Sequence, residues 1–136
     1  MKPMIVALTL LLATTLTAFA ETTPDAAYFH FCSHVKAAKV YTEVLPLVSS
    51  QSQKGLKPRN GPQWLFGHKL ADNYKHTIQH QKVKGNRAVL EVLQQGAQSS
   101  DHATDYVVLQ KEGGAWKIDS VIAAKNFDDA CKKALK

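Results

Sequence analysis

The chain has 136 residues, two cysteines and a formal charge of +6, from 17 lysines and arginines against 11 aspartates and glutamates. That length gives room for one domain with one modest core. The basic excess favours an anionic partner or surface. Its lysines and arginines are not interleaved with stacking aromatics, which argues against nucleic acid.

The first segment reads as a leader. Met1-Lys2-Pro3 carries one positive charge, Met4 to Leu12 is an apolar run, and Ala18-Phe19-Ala20 offers small residues where a signal peptidase reads them. This is the pattern of a secretory signal peptide over residues 1–20, too short for a stable membrane span. Cleavage after Ala20 leaves 136 − 20 = 116 residues, 21–136, as a single domain with 16 basic and 11 acidic side chains, net +5. The residue after the cut is Glu21, not cysteine, so no lipid anchor is indicated. No later segment is apolar enough to cross a bilayer. The expected location is periplasmic or secreted.

Thr23-Pro24-Asp25 is a helix start, with a capping hydroxyl, a proline at the first helical position and an acid at the positive dipole end. Tyr28, Phe31, Cys32, Val35 and Ala38 then recur at helical spacing, and the stripe runs on through Tyr41, Val44 and Leu45 until Pro46. A second helical piece reaches about Gln53, and residues 54–62 are dense in glycine and proline, a loop. Trp64, Leu65, Phe66 and Leu70 place apolar bulk in a short helix or turn.

After Ala71 the period changes to two. Tyr74, His76, Ile78 and His80 alternate with polar neighbours, as in a half-buried strand. Gly85-Asn86 marks a reversal, and residues 88–94 the next strand. Residues 106–110, the Gly113-Gly114 turn and residues 116–123 form a hairpin, and 126–136 a short helix with Phe127, Ala130, Cys131 and Ala134 on one side. Helices followed by a meander predict an α+β fold: N-terminal helices across a curved antiparallel sheet, plus a short C-terminal helix.

Cys32 and Cys131 stand near the two ends of the mature chain. Behind a signal peptide they are expected to form the one intrachain disulfide available, closing a loop of about 100 residues. The alternatives are two unpaired buried thiols or a redox pair, the latter disfavoured by the lack of a C-x-x-C motif.

Two stretches carry a family likeness: Val-Lys-Gly-Asn-Arg-Ala-Val-Leu-Glu-Val (83–92) and Tyr-Val-Val-Leu-Gln-Lys-Glu-Gly-Gly-Ala-Trp-Lys-Ile-Asp (106–119). With the helix opening at Thr23-Pro24-Asp25, they resemble the nuclear transport factor 2-like superfamily, in particular its small exported bacterial members. The resemblance covers residues 23 to 124 and leaves the cysteine-bearing last helix outside. It implies a helix packed across a curved sheet with a cone-shaped pocket between them. It does not fix a reaction, because that superfamily holds isomerases, cyclases, dehydratases and pure binding modules.

For such a pocket, His76 and His80, sharing a strand face with Tyr74, are the first candidates. Tyr106, Asp105, Asp119 and Glu91 are further sheet-borne groups with acid–base chemistry. No residue matches the superfamily's catalytic members position by position, so no catalytic residue is carried over. An anion-binding patch is expected from Lys54, Lys57, Arg59, Lys69, Lys75, Lys82, Lys84 and Arg87, eight bases with only Asp72 among them, unless they merely solvate one face. His30 and His34 have metal-pair spacing but lie off the apolar stripe with no third ligand, so neither a metal nor a cofactor is expected. Trp64 and Trp116 are expected in the core.

Three readings follow. The first is a non-catalytic binding or interaction module of the cell envelope, with an unknown protein or a small anionic ligand as partner and a homodimer as a further option. The second is an immunity protein or inhibitor of an exported toxin or hydrolase. The third is a small isomerase or hydrolase working in the sheet pocket.

Overall fold

In a computed structural model, residues 23–98 and 100–136 are described. The expected signal peptide lies outside the described residues. Helix α1 spans Pro24–Ala37, with the Thr23 hydroxyl accepting from the Ala26 N–H. Its buried stripe is Ala27, Tyr28, Phe31 and Val35.

The apolar period predicts this helix on to Leu45, but it stops at Ala37 and Ala38 is extended. Two 3-10 turns follow, Tyr41–Glu43 and Leu45–Leu47, and the Glu43 carboxylate accepts from the Lys39 N–H at 2.8 Å. The early stop drops Val44 into the core, with no exposed surface, and carries Val48 to the sheet edge, where it bridges Ile118 in parallel. Tertiary burial overrides the helical period here. Helix α2 is the short Ser50–Gln53, capped by Ser49, and α3 is Gly61–Ala71.

Four antiparallel strands form one sheet in chain order: β1 (Lys75–Lys84), β2 (Arg87–Gln95), β3 (His102–Glu112) and β4 (Ala115–Ile122). Glycines make both tight hairpins. Gly85 opens the first turn at φ 59°, and Gly113 and Gly114 turn the second at φ 57° and 80°, angles that carry the right-handed twist through a two-residue loop. Helix α4, Phe127–Ala134, closes the chain, capped by the Asn126 side chain on the Asp129 N–H. The fold is α+β, as the order of periods predicts.

Each face of the sheet has its own core. Ala88, Leu90, Val92, Val107, Leu109, Trp116 and Ile118 pack against α1 and α3. Val89, Tyr106 and Val108 face the other way, against Ala130, Cys131, Ala134 and Leu135 of the C-terminal segment. The alternation along β2 and β3 generates both, because each strand is apolar at odd and even positions alike. β1 is the outer edge and mostly exposed, and its lysines discourage pairing with another strand.

This layering corrects the disulfide expectation. Cys32 packs against the first core and Cys131 lies in the second, with the sheet between them, and both are free thiols. Both helices do have apolar stripes, but they bury them on opposite faces. No bridge spans that thickness within the roughly 4.4–6.8 Å Cα separation it needs. Of the residues described, no helix is long and apolar enough to cross a membrane.

Candidate functional site

β1 decides which histidine meets which face. Ile78 pairs with Val92, but His80 pairs with Glu91, so one extra residue, Gln79, bulges out between them. A bulge of one residue reverses the facing of everything beyond it. His76, opposite Gln94, therefore faces α1, and His80 faces α4. The expectation that the two share a face is corrected: unbroken alternation in the sequence conceals the bulge.

His76 lies in a pocket between α1, the end of α3 and the sheet. Tyr28, Phe31, Cys32 and Val35 form its roof, His68, Ala71 and Asp72 one wall, and His76, Gln94, Asp105 and Val107 its floor. The cavity holds about 60 Å³, room for a few waters or a small head group. Its lining is mainly apolar, with Tyr28, Cys32, His76, Gln94 and Asp105 among its polar groups.

Tyr28, Cys32 and His76 form a directed chain. His76 Nε2 lies 2.7 Å from the Ala71 carbonyl, which can only accept, so this nitrogen carries the proton. In the neutral ring Nδ1 then accepts, and the Tyr28 hydroxyl donates to it at 2.6 Å. The Tyr28 oxygen in turn meets the Cys32 thiol. Beside this chain the Gln94 amide donates to the Asp105 carboxylate, and both residues line the cavity. Of the residues described, no buried side-chain nitrogen or oxygen lacks a partner.

Burial sets the protonation of this pocket. It pushes the Tyr28 hydroxyl far above its ordinary 10.0, and the Cys32 thiol up from 9.0 to about 11. Burial between Phe31 and Trp64, whose ring centroids lie 5.3 and 4.6 Å away, holds His68 below its ordinary 6.5. Each shift favours the neutral form in the fold. As pH rises above 9 the unfolded chain loses its thiol proton first, and above 10 its tyrosine proton, so folding stability is lost on the alkaline side. As pH falls below 6.5 the unfolded chain takes up the His68 proton first, so stability is lost there too. Urea midpoints are expected to be highest between about pH 7 and 9, and Cys32→Ala should flatten the decline between pH 9 and 11. An alkaline slope that Cys32→Ala leaves unchanged would place the thiol outside the pocket.

The other expected site residues are dispersed. His80 is bound to Glu91 at 2.8 Å and stacks on Phe127 at 5.4 Å, on the α4 face. Tyr106 is buried on that same face with its hydroxyl on Glu91. Tyr74 precedes β1 and lines a separate shallow depression with Gly96 and Asp101. Asp119 is structural: it accepts from Ser49 at 2.6 Å, with Arg87 at 3.8 Å. Asp105 is brought to His76, and Tyr28, Cys32 and Gln94 join them. Helical spacing puts Tyr28 and Cys32 one turn apart on the buried stripe, and that was the available signal.

The eight basic residues do not converge on this pocket. Lys54, Lys57 and Arg59 sit in the connection from α2 to α3, and Lys69 donates to the Lys36 carbonyl at 3.0 Å. Lys75 and Lys84 stand at opposite ends of β1, about 30 Å apart at strand rise, with Lys82 near the second. Arg87 is tied to the Ala134 carbonyl at 2.8 Å and to Gln110 at 2.9 Å. The His30 and His34 rings lie 4.3 Å apart with their planes tilted at 48°, and the described residues contain no group of three or more His, Cys, Asp or Glu arranged to hold a metal.

The chain matches no protein-family model, no curated protein and no solved structure. Its chemistry must be read from the pocket itself.

Proposed function

We propose that this is an exported, non-catalytic binding domain of nuclear transport factor 2-like type, whose pocket under α1 takes a small molecule by its hydrogen-bond donors. The leader-like first 20 residues support export, and a pocket between the long helix and the sheet is what the family likeness implies.

The observation that carries the binding reading is the closed chain from Tyr28 through His76 to the Ala71 carbonyl. A general base needs a free lone pair within reach of a substrate proton. Here the imidazole lone pair is occupied by Tyr28, and the far nitrogen ends on an amide carbonyl, which takes no proton. The Cys32 thiol, pushed up to about 11, is not a thiolate nucleophile at neutral pH. Such a chain offers no free base, and the ligand contact falls to the Asp105 carboxylate beside it.

Charge defines the ligand. Asp72 and Asp105 line the cavity, Asp72 with the Lys36 ammonium 4.0 Å away, and among its described lining residues there is no lysine or arginine. A carboxylate in a mainly apolar lining selects an ammonium or hydroxyl donor and repels an anion. Any anionic partner therefore belongs to the lysines outside the pocket. Butylamine titrated into the ¹⁵N-labelled mature domain should shift the amides of Tyr28, Cys32, His76 and Asp105 and leave those of α4 in place. Shifts confined to other parts of the sheet would contradict the assignment.

A further inference from the structure

The pocket under α1 does not end at its apolar wall. His68, Ile118 and Val121 line it, and the same three residues line a second space of about 390 Å³ running between α3 and β4. That groove is lined by Val48, Leu56 and Trp64 together with Ser52, Asp119 and Ser120. Val121 is 52% exposed, unusual for a valine on the core face of its strand. Asp119 is the extra residue of a bulge in β4, since Ile118 pairs with Leu109 and Ser120 with Val108, and beyond it Val121 pairs with Val107 on the face toward α1. His68 stands at the junction, held neutral by burial, so it sets no charge in the path from one space to the other.

We infer that the two spaces are one site for a linear amphiphile, a primary alkylammonium whose head meets Asp105 and whose unbranched chain lies along the groove past His68 to Trp64. The inference rests on the binding reading above and adds the tail. The head cavity, at about 60 Å³, is small beside the groove's 390 Å³. The groove is open and mainly apolar, so an alkyl chain gains burial there that grows with each methylene. A carboxylate head of the same length would meet the Asp105 carboxylate instead of a cation. Exposed Val121 and half-buried Trp64 are then groove walls that the ligand covers, which accounts for apolar surface left open beside the core.

The test is a titration of the mature domain with butylamine, octylamine, dodecylamine and dodecanoate, read by ¹H–¹⁵N spectra that include both indole N–H signals. Octylamine is expected to bind at least about ten-fold tighter than butylamine, and to move the Trp64 indole signal while that of buried Trp116 stays. Dodecanoate should bind at least about ten-fold more weakly than dodecylamine. Equal affinity for butylamine and octylamine, with shifts only around Tyr28 and Asp105, would overturn the tail and leave the head pocket standing. Dodecanoate binding as tightly as dodecylamine would overturn the choice of head. No shift at Tyr28 or Asp105 with any amine would remove the binding reading together with the inference.

Discussion

Trp116→Ala is expected to cost about 3–5 kcal/mol. The indole is 7% exposed and lies in the core under α1 and α3, on the strand that the Val48 bridge protects at its outer edge. Truncation to alanine removes the largest side chain from β4 and leaves a cavity bordered by β3, which cannot collapse while its other neighbours hold the strand in register. Domains of this size are stable by roughly 5–15 kcal/mol in all, so the loss is a large share of the total. Urea unfolding followed by circular dichroism should show a much lower midpoint with an unchanged slope. An unchanged midpoint would mean that the indole sits outside the core.

Deleting everything after Lys125 should be as damaging. Helix α4 and Leu135 cover Val89, Tyr106 and Val108, and Ala130 and Val89 have no exposed surface in the intact chain. Uncovering two valines and losing the burial of Leu135, at about 1.5–3 kcal/mol each, sums to roughly 5 kcal/mol or more. The Arg87 bond to the Ala134 carbonyl goes as well. The truncated chain should bind a hydrophobic dye and lose its cooperative melt. Reductant, by contrast, should leave the melt of the full chain unaltered, because Cys32 and Cys131 are thiols on opposite faces. A truncated chain that melts like the intact one would contradict the two-core architecture.

Local chemistry was the legible part of this fold. Thr23, Asn126, Gly85 and the Gly113-Gly114 pair each impose a backbone conformation on their own neighbours, and the cap and turn appear where those residues stand. What the sequence conceals is set by partners distant along the chain. Residues 38–45 keep helical spacing, yet Val44 is better buried from a 3-10 turn that also delivers Val48 to Ile118. The Gln79 bulge is invisible in an alternation that continues through it, and it moves His80 away from His76. The two cysteines have matching apolar stripes, and nothing in a stripe tells which face of a doubly covered sheet it will choose.

The site was half legible for the same reason. His76 and Asp105 stand on strands, where alternation points to a face. Tyr28 and Cys32 looked like ordinary core positions, because the helical period reports burial and not the polar group that a buried tyrosine carries inward. Only the packing of α1 over the end of β1 makes the hydroxyl a pocket group.

The carboxylate of Asp105 is the most direct point of attack on the pocket's role. Butylamine affinity should be measured for the intact domain, for Asp105→Asn and for Glu91→Gln, which removes a carboxylate from the opposite face. Asp105→Asn is expected to weaken binding at least about ten-fold, the loss of one charge-assisted hydrogen bond, with Glu91→Gln indistinguishable from the intact domain. Equal affinity in all three proteins, or the same loss from both substitutions, would contradict a donor-selecting pocket under α1.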